Sequence, residues 1–286
     1  MTAPSNPLMQ VFDESQGRAP GRQRMTGRRV LVVGAGQRPG PDAHAVGNGR
    51  AIAMLMAREG AAVACADRDA AAAQATVDLI TAAGGRAVCV VADVEKPEDI
   101  ARMFDESVQA LGGIDGMVVN VGIIQGTPME KLNADIWDHE YRVNVRGPML
   151  CCKTALERMP EGSSAVLISS MAAIRSGSRS PAYETSKAAL NVLARTMAMS
   201  GEPRAIRCNA VAPGVIDTPL GRSEAARNPN RARSYPFGRQ GTAWEVAYAS
   251  LFLLSHESSY VNGHVLLVDG GLVHGIQRPV PAPPSA

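Results

Sequence analysis

Short apolar runs alternate with longer amphipathic segments along most of this sequence, and that alternation limits the fold more than any other property. Residues 30–33, 61–66, 87–92, 116–119, 165–168, 207–211 and 265–268 are four to six residues long and dominated by Val, Ala, Leu and Ile. Runs this short and this apolar read as strands buried on both faces, as parallel sheets require. Between them lie segments with helical spacing; after Pro97, for example, Ile100, Met103, Phe104, Val108 and Leu111 form a core stripe. Strand–helix repetition predicts an α/β fold, a doubly wound and mainly parallel sheet with helices on both faces, and ligands at the strand C-termini.

At 286 residues and 45% hydrophobic content, with no internal repeat, the chain fits one large domain. We place that domain at 28–273. Residues 1–27, rich in Pro, Gly, Gln and Arg, read as a flexible or partner-ordered N-terminal arm, and 274–286 as a Pro-rich tail or subunit contact. A net charge of +2 gives no electrostatic footprint for nucleic acid or membrane, and no run of 18 apolar residues appears. Small molecules are the expected partners. The five cysteines (Cys65, Cys89, Cys151, Cys152, Cys208) lack metal-ligand spacing, the histidines show no ligand cluster, and the N-terminus lacks an apolar signal segment, so no metal and a cytoplasmic location are expected.

The first strand ends at Gly34, and two registers compete for the turn that follows. Gly34-Ala35-Gly36 with Gly40 resembles a nucleotide-binding glycine turn, but Pro39 and Pro41 would disturb a helix there. The better helix starts at Gly47-Asn48-Gly49, carries an apolar stripe and stops near Gly60. Glycines there allow close backbone approach, and the helix N-terminus offers free N–H groups to a pyrophosphate. The second strand ends at Asp67, eighteen positions after Gly49. A carboxylate there accepts from adenosine ribose hydroxyls and repels a 2′-phosphate, which favours NAD over NADP; Arg68 partly offsets this.

Ser169-Ser170 through Tyr183 and Lys187 places a hydroxyl, a phenol and an amine close together. A helix opened by Pro181 and running to about Met199 puts Tyr183 and Lys187 on one face, one turn apart. A free tyrosine titrates near ~10, and a cation within about 4–6 Å typically lowers that by roughly 1–3 units, enough for acid/base work.

Ser170, thirteen positions before Tyr183 at the end of an apolar strand, together with Tyr183-x-x-x-Lys187, resembles the short-chain dehydrogenase/reductase family. The resemblance covers about 28–272 and implies a Rossmann-like fold and an NAD(P)-dependent enzyme acting on a CH–OH group. It departs in three places, one of them Val119, which stands where the family has the first Asn of Asn-Asn-Ala-Gly. Val33 replaces the usual Thr, and nine extra residues enlarge the glycine loop, with Arg38 and His44 as candidate phosphate contacts and a solvated excursion as the alternative. By resemblance, Asp93 and Val94 lie by the adenine, Asn120-Val121-Gly122 approaches the cofactor ribose, and Asn144 anchors a water in the proton relay. Pro213-Gly214, Ile216 and Thr218 would flank the nicotinamide amide. A homodimer or homotetramer is implied as well.

The expected chemistry is reversible oxidation of a secondary alcohol by NAD. Tyr183 exchanges the proton, Ser170 holds the substrate oxygen, and Lys187 lowers the tyrosine pKa and holds the ribose. Alternatives are an NADPH-dependent 3-oxoacyl-thioester reductase and a non-catalytic dinucleotide sensor. The punctuated segment 219–241 reads as a substrate loop; its Arg222, Arg227, Arg231, Arg233 and Arg239 would attract an anionic substrate or remain solvated.

Overall fold

The computed structural model describes residues 11–37, 46–219, 221–222 and 237–275. Each apolar run becomes a strand: β1 Arg29–Val33, β2 Ala62–Asp67, β3 Arg86–Val91, β4 Gly116–Val119, β5 Ser164–Ile168, β6 Arg207–Pro213 and β9 Val265–Val268. Two short strands, β7 Ile216–Asp217 and β8 Gly241–Thr242, pair separately. The seven long strands form one parallel sheet in the order β3-β2-β1-β4-β5-β6-β9. Strand order reverses between β1 and β4, which opens a crevice at their C-terminal ends.

The crossovers are α1 Asn48–Arg58, α2 Ala70–Ala82, α3 Pro97–Leu111, α4 Ala134–Tyr141, α5 Gly147–Arg158, α6 Pro181–Gly201 and α7 Ala243–Leu254. Side chains alternate across each strand, so β1 feeds two cores. Val30 and Val32 pack with Ile52, Leu55, Met56 and Leu251 from α1 and α7. Leu31 and Val33 pack on the other side with Met103, Phe104, Cys151 and Met197 from α3, α5 and α6. Each large apolar side chain fully withdrawn from water contributes about 1.5–3 kcal/mol, so burial on both faces holds β1 at the centre. Local signals set the helix ends. α3 opens on Pro97 with Glu98 and Asp99 in its first turn and stops at Gly112, which has φ +83°. Thr242 and Glu245 form a reciprocal capping box at the start of α7.

Residues 11–27 are ordered on the chain's own helices. Met25 is fully buried in the core on the α1–α7 side of the sheet, and Ala19 is nearly fully buried, its carbonyl accepting from Arg58 at 3.3 Å. Glu59, at the end of α1 and fully buried, accepts the backbone N–H of Arg22 (3.0 Å) and of Arg24 (3.1 Å) and pairs with the Arg24 guanidinium at 2.8 Å. Arg24 also lies over the Tyr248 ring, 5.5 Å from its centroid. The segment has no periodicity of its own because its partners are supplied by helices distant in sequence. Burial pushes the Glu59 carboxyl up, but its bonds to Arg24 and to the two backbone N–H groups outweigh this and hold it below the usual range.

All five cysteines are free. Burial pushes the Cys65, Cys151 and Cys208 thiols up to about 12, which leaves them protonated packing groups. Among the described residues, no His, Cys, Asp and Glu cluster could hold a metal ion, and no helix is long and apolar enough to cross a membrane.

Candidate active site

The crevice at the β1/β4 switch is built from backbone that tolerates no side chains. Gly34 leaves β1 with φ +83°, and its N–H donates to the Ala66 carbonyl at 2.8 Å. Asn120 ties the two sides together: its backbone N–H donates to the Val33 carbonyl at 2.8 Å and its Nδ2 to the Gly34 carbonyl at 2.9 Å. A Cβ on Gly49 would fall 1.9 Å from the Gly34 oxygen and 2.6 Å from Asn120 Nδ2, so only glycine lets the first turn of α1 approach this close. α1 begins at Asn48, after Gly47 in an extended conformation. Arg38 and His44 of the enlarged loop lie outside the described residues.

A cleft runs along these strand ends and gathers Gly34, Asp67, Arg68, Asp93, Val94, Asn120, Val121 and Gly122, with Gly36 and Gln37 beside them. Asp67 is fixed in it: Oδ2 accepts the Gly36 N–H at 2.9 Å and Oδ1 the Asp69 N–H at 3.1 Å. Gly47 donates to Gln37 Oε1 at 2.8 Å, and the buried Oδ1 of Asn48 has no hydrogen-bond partner. A glycine-walled cleft at the switch point with a carboxylate one strand away fits the ribose of a dinucleotide. Gly47, Asn48, Gly49, Pro213, Gly214, Ile216 and Thr218 do not line this cleft. Gly214 instead donates to the Val268 carbonyl at 2.9 Å, Ile216 is buried among the core side chains, and the Thr218 hydroxyl accepts the Gly221 N–H at 3.1 Å.

The catalytic candidates converge from β5 and α6. Pro181 opens α6, which runs on past the expected end, to Gly201. Tyr183 and Lys187 share a face, with Lys187 Nζ 5.9 Å from the Tyr183 ring centroid. Ser170, just after β5, caps a short 3-10 turn through the Ala172 N–H at 3.2 Å and lies close enough to the Tyr183 hydroxyl to favour its ionised form. Burial pushes the Tyr183 phenol up, nearby Ser170 pulls it down, and Glu140 pushes it up again, with the net effect above its ordinary value rather than below it. The Lys187 ammonium lies over the ring face and donates to the Ile168 carbonyl at 3.0 Å and more weakly to the Val121 carbonyl at 3.5 Å. Lys187 is 4% exposed, and burial lowers its pKa to about 8. A Cβ on Gly122 would sit 2.9 Å from its Nζ, so the loop after β4 closes directly over the amine.

Asn144 stands in a break rather than in the continuous helix its neighbours suggest. Residues Arg142–Arg146 form a π-turn between α4 and α5. Its side chain is fully buried: Oδ1 accepts the Ile123 N–H at 2.8 Å, and Nδ2 donates to the Ile123 carbonyl at 2.9 Å and to Ser186 Oγ at 3.0 Å. Pro148 is four residues on and has no N–H, so the Asn144 carbonyl lacks its ordinary α-helical donor. That signal was present in the sequence. Glu140, one turn before Asn144, carried none, because a lone acidic residue in an amphipathic segment reads as solvated, yet it is 1% exposed.

The arginine-rich segment is less open to an anion than its composition suggests. Arg222 is held by Asp217 at 2.6 and 2.9 Å, and Arg239 by Glu245 at 2.7 and 3.0 Å. Arg227, Arg231 and Arg233 lie outside the described residues.

A parallel sheet with a glycine-walled cleft at its switch point, and a Ser–Tyr–Lys group at the neighbouring strand end, defines an α/β oxidoreductase. Comparisons agree. A family model described as enoyl-(acyl carrier protein) reductase matches residues 43–273. The chain is 34% identical over 261 residues to a glucose 1-dehydrogenase of Gluconobacter oxydans, covering 89% of this chain and 95% of that protein. It is 34% identical over 227 residues to a 3-oxoacyl-[acyl-carrier-protein] reductase of Mus musculus, covering 79% and 93%. A solved short-chain dehydrogenase/reductase from Serratia marcescens superposes with TM-score 0.80 at 29% identity, over 87% of this chain and 99% of that one. The protein belongs to the short-chain dehydrogenase/reductase family.

Proposed function

We propose that the protein interconverts a secondary alcohol and its ketone with a nicotinamide dinucleotide, using NAD(H) in preference to NADP(H). The observation that carries this reading is the convergence of Ser170, Tyr183 and Lys187 beside a cleft whose other end is fixed by Asp67. Gly34 and Gly47-Asn48-Gly49 would hold the phosphates, Asp67 and Arg68 the adenosine ribose, and Asp93 and Val94 the adenine. Asn120, Val121, Gly122, Tyr183 and Lys187 would hold the nicotinamide ribose, with Pro213, Gly214, Ile216 and Thr218 toward the amide. When bound, the nicotinamide supplies the hydride exchange.

The chain's own residues then handle the proton. The Tyr183 hydroxyl protonates the carbonyl oxygen in reduction and accepts the alcohol proton in oxidation, while Ser170 Oγ fixes the same oxygen. Lys187, with a pKa of about 8, gains and loses a proton near neutrality and can restore the one Tyr183 spends. Asn144 would anchor a water on that route. Half-exposed or exposed Met149, Val192 and Met199 on α5 and α6 support a homodimer or homotetramer. The test is a panel of secondary alcohols with NAD, read by NADH absorbance. Tyr183→Phe is expected to abolish turnover while keeping cofactor affinity; wild-type turnover in that variant removes the phenol from the mechanism.

A second reading, an NADPH-dependent 3-oxoacyl-thioester reductase, is favoured by the mouse relative. Asp67 and the carboxylate-paired Arg222 and Arg239 oppose it. A strong NADPH preference would defeat the NAD(H) assignment. Cofactor binding with no turnover of any alcohol would point instead to a dinucleotide sensor.

A further inference from the structure

Glu140 stands apart from the expected machinery and is nonetheless built into it. It lies on α4, one turn before Asn144, and is 1% exposed. Its Oε1 accepts the Gln125 backbone N–H at 2.8 Å, while Oε2 is buried with no hydrogen-bond partner. Asn144 grips Ile123 in the same way, so two side chains one turn apart clamp the loop that closes over Lys187. A half-satisfied buried carboxyl is costly, and apolar packing at this position would avoid that cost. α4 packs on α6, which brings this carboxyl into electrostatic contact with Tyr183.

We propose that Glu140 is a further positioning residue for the reaction, one that anchors the loop after β4 and, through its charge, keeps the neighbouring Tyr183 proton in place. The proposal rests on the reading of Tyr183 as the acid/base. The groups that face Glu140 are consistent with this. His139 lies beside it on the same helix, α6 presents Tyr183, and the loop presents the Gln125 N–H, while Lys187 is turned to the Ile168 and Val121 carbonyls. Burial raises the Glu140 carboxyl, against the pull of the Gln125 N–H and of His139. A carboxylate beside a phenol disfavours the phenolate, so removing its charge must lower the Tyr183 pKa.

The test needs no substrate. Ultraviolet titration of tyrosinate in the full chain, with the matching Tyr183→Phe protein subtracted, isolates Tyr183 from the other tyrosines. Glu140→Gln keeps an oxygen for the Gln125 N–H and deletes the charge, and is expected to lower the Tyr183 midpoint by about half a unit to one unit. Should the amide variant fail to fold, Glu140→Met, similar in length and uncharged, carries the same expectation. An unchanged midpoint in the folded variant overturns the proposal, as does an upward shift. Because the readout is a phenol titration, it stands whether or not the alcohol panel finds a substrate.

Discussion

Replacing Lys187 with methionine should stabilise the protein at neutral pH and destabilise it in alkali, because the lysine is buried at a cost to the fold. Its pKa falls from 10.5 to about 8, which corresponds to about 3 kcal/mol against folding while both states are protonated. The sign follows from the order of titration. Below pH 8 the whole penalty is present. Between about 8 and 10.5 the folded chain releases its proton first, so stability recovers, and above 10.5 the penalty is gone. Methionine matches the stem but leaves the Ile168 and Val121 carbonyls without their donor, at about 1 kcal/mol each. The variant should therefore be more stable by about 1 kcal/mol at pH 7 and less stable by about 1–2 kcal/mol near pH 10.5. Urea unfolding of both proteins across this range measures the crossing. If the variant is the less stable protein by the same margin at both ends, the buried-amine argument fails.

Asp67→Asn should relax the cofactor preference. It deletes the charge that opposes a 2′-phosphate and can serve the Gly36 and Asp69 N–H groups with only one oxygen; we expect the NADH/NADPH ratio of kcat/KM to fall about 10–100-fold. Gly49→Ala drives a Cβ into the Gly34 carbonyl and should abolish dinucleotide binding, read by NADH fluorescence titration; wild-type affinity would contradict the close approach. Glu59→Ala strips Arg24 of its buried partner and should cost about 3–5 kcal/mol at pH 7. Because the Glu59 carboxyl is held below 4.5 in the fold, that contribution is complete above pH 4.5 and lost as pH falls through the folded value, so the gap between variant and wild type should close in acid unfolding curves.

The sequence by itself determined the sheet, because apolar runs of four to six residues can be buried only between two layers of helices, and it placed Tyr183 and Lys187 on one face of a helix opened by Pro181, because they are an i, i+4 pair. Asp67 at the end of β2 was legible for the same reason: strand ends in such sheets face the ligand. Only the tertiary structure decided how the charges act. Burial raises the Tyr183 phenol and lowers the Lys187 amine, and the Lys187 N–H groups meet the carbonyls of Ile168 and Val121. Residues 11–27 are ordered by Glu59, a partner found 35 residues beyond Arg24, and Glu140 meets Tyr183 across two packed helices. Periodicity encodes which face a residue takes on its own element. Which distant group it meets there, and at what electrostatic cost, is fixed only when the elements pack.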